Sequence, residues 1–186
     1  MLETAMRYSH TLLKECLHEG DCAIDATMGN GHDTLFLSQC VGENGKVIAF
    51  DVQPQAIEQT KQRLAENHCH NVQCILDGHE HLSHYLAENE PIKAAIFNLG
   101  YLPKSDKTII THFNTTIEAL NALLQHLVPT GRIILVLYYG HEGGEEEKEA
   151  VLNFSQQLDQ KQFNVLTYQF INQRNAPPIC LCIEKK

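Results

Sequence analysis

The segment DATMGNGHDT, which begins at Asp25, holds the residues of this sequence best suited to binding a ligand. It follows an apolar run and precedes a helical pattern, so it joins the end of a strand to the start of a helix. Gly29 and Gly31 permit a tight turn and a close approach of the backbone to a ligand. Asp25 can face a cationic amine, while Asp33 and Thr34 begin the helix. By itself a Gly-x-Gly is more often a plain turn, and this one lacks the third glycine of the dinucleotide fingerprint.

Two further strand ends carry residues that suit a nucleoside. Asp51 ends the run KVIAFD, where a carboxylate can accept hydrogen bonds from both hydroxyls of a ribose. A nicotinamide cofactor would use the same residue. Asp77, Gly78 and His79 end the next strand, where contacts to an adenine ring are expected, but these three residues could equally cap the following helix.

The segment NLGYLP, from Asn98 to Pro103, ends the fourth strand at the edge where open α/β sheets place reacting groups. The Asn98 amide oxygen and the Leu99 carbonyl can hold an amino group with its lone pair aimed at a methyl donor. Tyr101 could stack on a flat base. A strand-exit turn is the structural alternative, but the two upstream ligand signals favour a reaction site.

Two later loops are expected to wall the same site from the substrate side. The loop YYGHEGGEEE carries His141, and the loop NQRNAPP carries Arg174 and Pro177. If the reacting group here is an alkyl amine, it must lose a proton, which His112, His141 or Asp106 could accept. The sequence does not choose among these three.

Composition and charge exclude several classes of protein. The 186 residues include 14 basic and 23 acidic side chains, and the formal net charge of −9 argues against non-specific coating of nucleic acid. No stretch approaches the roughly 18 apolar residues of a membrane span, and the first residues do not resemble a secretion signal. We therefore expect one cytoplasmic domain over residues 1–186, with only a local contact to any RNA.

The seven cysteines predict reduced thiols, because their number is odd and none belongs to a C-x-x-C pair. The cluster of His68, Cys69, His70 and Cys74 combines two types of metal ligand. Structural zinc, however, normally takes its ligands from C-x-x-C-like knuckles, which this stretch lacks. We expect no metal site.

The order of the elements predicts an α/β fold. An amphipathic helix over about residues 3–19 precedes strands that alternate with helices, which indicates a parallel sheet with right-handed crossovers. The strands are predicted at about residues 22–27, 46–50, 71–75, 92–98, 132–138, 163–170 and 179–184, and the later helices at about 33–40, 55–67, 79–86, 111–127 and 144–160. The last two strands have no helix between them and should form an antiparallel hairpin. A nicotinamide-binding Rossmann fold would instead continue to six parallel strands.

Five motifs spread over the whole chain together resemble the small bacterial family named "putative rRNA methylase": D-x-T-x-G-N-G-x-D-T, F-D-V-Q, N-L-G-Y-L-P, Y-x-G-H-x-G-G-x-E and N-x-P-P. The resemblance implies a Rossmann-like class I methyltransferase with S-adenosylmethionine as its cofactor. Its seven-stranded, mostly parallel sheet would have the order 3-2-1-4-5-7-6, an antiparallel terminal hairpin and helices on both faces. The family includes enzymes that methylate the aminomethyl group of 5-aminomethyl-(2-thio)uridine at the tRNA wobble position.

By this resemblance, six residues would lie around the cofactor: Asn30, Asp33, Asp51, Gln53, His79 and Asn98. Thr27 and the turn and strand-end residues named above complete the expected cofactor site. The reacting centre is expected to comprise Asn98, Leu99 and Tyr101. The substrate side is expected to comprise Tyr101, Pro103, His112, His141, Arg174 and Pro177.

Several alternatives stay open at this point. The methyl acceptor could be rRNA or a small molecule instead of the anticodon region of tRNA. An NAD-dependent oxidoreductase would share the Gly-x-Gly and Asp51, and a non-catalytic RNA-binding module would bind the cofactor without transferring a methyl group. The sequence does not show whether the chain forms a homodimer.

Overall fold

The computed structural model describes residues 1–100 and 113–186, and seven strands within these ranges form one sheet. The strands are β1 (Cys22–Asp25), β2 (Lys46–Asp51), β3 (Val72–Leu76), β4 (Ile92–Leu99), β5 (Leu127–Leu137), β6 (Phe163–Tyr168) and β7 (Ile179–Lys185). Their order is β3-β2-β1-β4-β5-β7-β6. The first five strands are parallel, and β7 pairs antiparallel with both β5 and β6. The predicted order and the terminal hairpin are confirmed.

Helices cover both faces of this sheet. They are α1 (Ala5–Cys16), α2 (His32–Val41), α3 (Pro54–Glu66), α4 (Phe113–His126) and α5 (Gly144–Gln156), with a 3₁₀ helix at His79–His84. One buried cluster joins Phe50 and Phe97 to Leu120 of α4, and a second joins Leu13 of α1 to Leu37 of α2. Within the described ranges, none of these helices is both long enough and apolar enough to cross a membrane.

The acidic and amide side chains of β1, β2 and β4 lie at the carboxyl ends of these strands. Every residue of β1 is buried, and so are all but two of β4, because both faces of a central parallel strand are covered. Asp25 is the last residue of β1, Asp51 is the last of β2, and Asn98 is the penultimate residue of β4. Since these strands are parallel, the three side chains lie along one edge of the sheet, as predicted.

Arg132 fastens helix α1 to the sheet. Its guanidinium donates to the Leu12 carbonyl oxygen and to the Glu15 carboxylate, each at 2.8 Å. Its Nε donates to the carboxylate of Glu184 in β7, also at 2.8 Å. The N-terminal helix is therefore held over β5 and β7, with its first turns beside the carboxyl ends of the strands.

Three predicted boundaries at the start of the chain and near the third strand are wrong for local reasons. Helix α1 is shorter than predicted because the Thr4 side chain caps its start by accepting a backbone N–H. β1 ends at Asp25, since the chain then enters the glycine turn. The helix expected over about residues 79–86 is a 3₁₀ helix that ends at His84.

Two boundaries in the second half differ by four residues or more. β5 begins at Leu127, not at 132, because Leu127 pairs with Ile92 and the predicted turn falls within a register shift. Helix α5 ends at Gln156, not at 160, because the Asp159 side chain and carbonyl accept backbone N–H groups of the next residues and form a turn. The predicted start of α4 lies outside the described residues.

Candidate active site

A cavity of about 850 Å³ opens at the carboxyl ends of β1 and β4, a volume within the usual range of small-molecule sites. Its further walls come from helix α1, from the loop between β5 and α5, and from the loop before β7. Six of the predicted site residues line it: Thr27, Gly29, Asn30, Asp33, Asn98 and His141.

The glycine turn after β1 is shaped by its own backbone and supported by α3. Gly29 and Gly31 have φ values of 52° and 74°, in the left-handed region that favours glycine. A Cβ atom on Gly31 would lie 2.6 Å from the Thr60 hydroxyl, which itself donates to the Gly29 carbonyl at 3.1 Å. The Arg63 Nε donates to the Asn30 carbonyl at 2.8 Å. Thr60 and Arg63 lie one helical turn apart and both support the glycine turn. Sequence reasoning missed them because neither residue type indicates what it would contact.

Asp25 lies within the protein below this turn. It is completely buried, and its carboxylate accepts the Thr34 hydroxyl at 2.7 Å and the Thr27 backbone N–H at 3.2 Å. Burial, and next the charge of Asp33, raises the pKa of Asp25 to about 7. Asp25 and Thr34 are not among the residues that line the cavity, so this pair braces the turn from beneath.

Asp51, at the end of β2, connects the turn to the start of α3. One carboxylate oxygen accepts the Gly29 N–H and the other accepts the Gln53 N–H, both at 2.9 Å. Burial raises the pKa of Asp51, although these backbone hydrogen bonds oppose the increase. Each oxygen of a carboxylate offers two acceptor positions, so both oxygens can still bind a hydroxyl group.

Asp77 and His79 occupy different environments although both follow β3. The Asp77 carboxylate accepts the Gly78 N–H, the His81 ring and the Tyr85 hydroxyl, each at 2.8 Å, so its described hydrogen bonds are local, although no side chain caps the 3₁₀ helix. His79 is buried, which lowers its pKa, and its Nδ1 lies 3.0 Å from the Ala26 carbonyl. A carbonyl only accepts, so Nδ1 carries the proton. Nε2 is then a buried acceptor without a hydrogen-bond partner in the part of the chain that the structure describes.

A chain of three polar side chains crosses the floor of the cavity. Asp33 accepts the His10 Nε2–H at 2.7 Å on one oxygen and the Asn98 Nδ2–H on the other. Since the carboxylate only accepts, the Asn98 amide is turned with its oxygen away from Asp33. That oxygen, Oδ1, is buried and has no hydrogen-bond partner among the described residues. The Asn98 backbone N–H donates to the Thr27 hydroxyl at 2.7 Å, which fixes the residue in place.

His10 was not predicted as a site residue. It lies 23 positions before Asp33 in the sequence, on the N-terminal helix, and it lines the cavity. Its ring stacks on Phe36 with the ring centroids 4.0 Å apart. The amphipathic pattern of α1 predicts that the helix packs on the sheet, but it does not show which strand ends the helix would reach.

The remaining predicted residues are less closely joined to the cavity. The Leu99 carbonyl accepts the Tyr138 N–H at 3.0 Å, and one of its lone pairs remains. Arg174 is exposed and Pro177 is half-buried; the lining of the loop before β7 comes from Ala176 and Pro178. Three predicted site residues and one predicted proton acceptor lie outside the described residues: Tyr101, Pro103, His112 and Asp106.

Metal ligands are not gathered anywhere in the described ranges. No three or more His, Cys, Asp or Glu side chains there come together as a metal site would require, and this includes the cluster at residues 68–74. All seven cysteines lie in the described ranges and are free thiols, four buried and three half-buried.

Comparison with known proteins gives matches over most or all of the chain. The family model described as "Putative rRNA methylase" matches residues 47–184. The tRNA (mnm(5)s(2)U34)-methyltransferase, chloroplastic, of Arabidopsis thaliana is 36% identical over 98% of this chain and 70% of its own length.

Two solved structures match the fold of this chain over its whole length. A "putative rRNA-methylase" from Clostridium thermocellum is 46% identical, with a TM-score of 0.97 over the whole of both chains. A "putative methyltransferase" from Streptococcus mutans in complex with SAH is also 46% identical, with a TM-score of 0.92 over the whole of both chains. These structures share the full architecture, including the N-terminal helix and the terminal hairpin.

Proposed function

The chain belongs to the family described as "Putative rRNA methylase" and is an S-adenosylmethionine-dependent methyltransferase; from this premise we propose that it methylates the aminomethyl nitrogen of 5-aminomethyl-(2-thio)uridine at the wobble position of tRNA. The acceptor would be the anticodon region of tRNA in the cytoplasm. The nearly full-length similarity to a tRNA wobble-uridine methyltransferase supports this choice of substrate.

The observation that carries the proposal is the buried amide oxygen of Asn98. Buried acceptors are almost always hydrogen-bonded in folded proteins, so an acceptor without a partner beside a cavity favours a ligand that brings a donor. An amine supplies such an N–H group. Asp33 keeps the amide in this orientation, because its carboxylate can bind only the NH₂ side of Asn98.

The described residues also fit the cofactor. The Asp51 carboxylate retains acceptor positions for the two hydroxyls of a ribose, and the neutral His79 offers a buried acceptor at Nε2. The glycine turn brings its backbone to the wall of the cavity at Gly29 and Asn30. We propose that these groups hold S-adenosylmethionine, which supplies, when bound, a methyl group on a positively charged sulfur.

The chain contributes mainly by positioning the acceptor amine. Asn98 Oδ1 accepts one N–H of the amine, and the remaining lone pair of the Leu99 carbonyl is available for a second. Two acceptors on one side of a nitrogen leave its lone pair on the other side, and such alignment is worth several kcal/mol. Tyr138 and Tyr139 line the cavity and help to keep water from the nitrogen.

The charge of the protein favours a small RNA footprint. With a formal net charge of −9, few side chains can neutralise phosphates, so we expect three or four contacts with single-stranded phosphates. Such a contact number predicts a slope of roughly −2 to −3 for the logarithm of the binding constant against the logarithm of salt concentration.

Nucleoside mass spectrometry of tRNA from cells with and without the gene tests the substrate. We expect the methylated wobble uridine to disappear without the gene and its aminomethyl precursor to accumulate. Re-expression of the wild-type chain should restore the methylated form, whereas Asn98→Ala should not. Unchanged tRNA, together with the loss of a methyl group from rRNA, would refute the proposal in favour of an rRNA substrate.

A further inference from the structure

The proposed acceptor amine must lose a proton before it can be methylated. An alkyl amine with a pKa near that of lysine, about 10.4, has only about one molecule in 2,500 unprotonated at pH 7. The site therefore needs a group that takes this proton. Of the three acceptors that the sequence suggested, only His141 lies in the described part of the chain.

We propose that His10 is the proton acceptor of the reaction. This inference rests on the proposed function, because it requires an amine as the methyl acceptor. His10 lines the same cavity as Asn98, and both side chains are bonded to the two oxygens of one carboxylate, that of Asp33. The residue that holds the amine and the residue that takes its proton are thus joined through a single side chain.

The contacts of His10 fix both its ring and its tautomer. Because Asp33 accepts from Nε2 at 2.7 Å, the neutral ring carries its proton on Nε2 and has a lone pair on Nδ1. Phe36 stacks against the ring with an angle of 9° between the two planes, so the ring has little freedom to turn. A carboxylate bonded to the opposite nitrogen also stabilises the imidazolium that forms when the lone pair takes a proton.

The proton balance of the step is simple. The N–H bond of the substrate ammonium breaks, its electron pair stays on nitrogen, and a new N–H bond forms at Nδ1 of His10. The neutral amine is then the nucleophile. The His10 side chain is 31% exposed, so the imidazolium can pass the proton to water before the next turnover.

The groups around His10 come from three parts of the fold. Asp33 and His32 of α2 share the cavity with it, and Lys14, on its own helix, lies over the Phe36 ring at 5.6 Å. Tyr138, after β5, also faces the cavity, and burial raises its pKa, so it stays a neutral phenol near pH 7. His141 in the following loop lines the same cavity. The carboxylate in direct contact with the ring is that of Asp33.

A glutamine substitution separates proton transfer from positioning. In His10→Gln the side-chain amide nitrogen can still donate to Asp33 where Nε2 does, but it cannot take a proton. In His10→Ala both properties are lost. His18→Gln is the matched control, because His18 follows the same helix, is 75% exposed and does not line the cavity.

We expect His10→Gln to bind S-adenosylhomocysteine within about twofold of the wild type and to lose about 100-fold in kcat at pH 7, the usual scale for a lost general base. The loss should shrink as the pH rises toward the pKa of the amine, since free amine then comes from solution. The rate of the wild type should level off at lower pH than that of His10→Gln. His18→Gln should match the wild type.

A second measurement needs no turnover. In the ligand-free protein with ¹⁵N-labelled histidine, the NMR signal that His10→Gln removes should show the Nε2–H tautomer, with an unprotonated Nδ1 at high pH. The opposite tautomer would overturn the proposal. So would His10→Gln with the rate and pH profile of the wild type, even if His10→Ala were slow, because His10 would then only position Asp33.

The same experiments distinguish this inference from the proposed function. In one outcome the wild type methylates the aminomethyl uridine, while kcat near pH 7 falls in His141→Gln and not in His10→Gln. In that case the proposed substrate is correct and the proposed proton acceptor is wrong. If the wild type binds S-adenosylhomocysteine but leaves the aminomethyl uridine unchanged, the proposed function fails, and this inference fails with it.

Discussion

Two histidine–carboxylate pairs of similar length lie in different surroundings in this molecule. In the interior pair, His10 and Asp33 are 2.7 Å apart and 23 positions apart in sequence, with side chains 31% and 10% exposed. In the exposed pair, His81 and Asp77 are 2.8 Å apart, four positions apart, and 46% and 29% exposed.

The two pairs show that contact geometry alone does not identify a functional site. The exposed pair closes a local turn, and the hydrogen bond from His81, and next that from Tyr85, lowers the pKa of Asp77 to about 2. The interior pair instead joins α1 to α2 and reaches a third element, β4, through Asn98. A role in chemistry is supported because the interior pair connects three distant segments beside a cavity. A histidine–carboxylate contact alone would not support it.

The largest effect on turnover is expected when Asp33, the aspartate of the interior pair, loses its charge. In Asp33→Asn the amide can accept from only one of His10 and Asn98, so the chain of hydrogen bonds across the cavity floor breaks. We expect turnover to fall by about 10- to 100-fold, since one such hydrogen bond to a charged group is worth about 1.5–3 kcal/mol. Single-turnover methyl transfer measures the effect, and turnover within twofold of the wild type would refute the role of the interior pair.

Asp25 should show the next effect, in stability. Its pKa, raised to about 7, exceeds the value of an unfolded aspartate, so folding favours its protonated form. The stability that this group contributes is full below about pH 4 and is lost as the pH rises through about 7. The unfolding free energy of the wild type should therefore fall relative to Asp25→Asn by up to about 1.4 kcal/mol per pH unit in this window.

Urea denaturation of both proteins at several pH values between about 4 and 8 measures this slope. In Asp25→Asn the amide oxygen can still accept the Thr27 N–H, and the amide nitrogen can donate to the Thr34 hydroxyl, which makes asparagine the appropriate variant. A constant difference between the two curves would show that Asp25 is ionised in the folded protein throughout, contrary to its burial.

Asp51→Asn is expected to weaken cofactor binding by about tenfold, because one carboxylate oxygen is replaced by a donor where a hydroxyl is to be bound. Calorimetry measures the affinity of the wild type and of Asp51→Asn for S-adenosylhomocysteine under the same conditions. The same affinity in both would show that the end of β2 does not contact the ribose. Asp51 would then serve only to join the Gly29 turn to α3.

Asp77→Asn should have the smallest effect of the four. The pair with His81 is exposed and therefore screened. Its stabilising contribution is lost as the pH falls toward about 2, where Asp77 is protonated, and also as the pH rises through the raised pKa of His81, where the ring loses its charge. We expect turnover within twofold of the wild type and a melting temperature changed by no more than roughly 2 °C. A tenfold loss of cofactor affinity would instead support the adenine-contact interpretation of Asp77.

Much of the fold follows from the sequence because central parallel strands are apolar on both faces and are separated by helical patterns. The boundaries that differ depend on interactions between distant or neighbouring groups. Leu127 extends β5 by pairing with Ile92, and Asp159 ends α5 early by forming a turn. Neither interaction changes the spacing of apolar residues, which is the signal that the prediction uses.

The site was predictable at the strand ends and in the turns and loops that directly follow them. Asp25, Asp51 and Asn98 come together because the carboxyl ends of parallel strands share an edge. His10 was missed because its place depends on how α1 docks, and that depends on the contacts of Arg132 with residues at both ends of the chain.

Methyl transfer to a defined tRNA tests the central claim most directly. The purified protein is incubated with methyl-labelled S-adenosylmethionine and tRNA that carries 5-aminomethyl-(2-thio)uridine, and the digested nucleosides are separated by mass spectrometry. We predict one labelled methyl group on the aminomethyl nitrogen of the wobble uridine with the wild type, and none with Asn98→Ala at a concentration of S-adenosylmethionine that saturates the variant. Label on another nucleoside, or full activity of Asn98→Ala, would contradict this account.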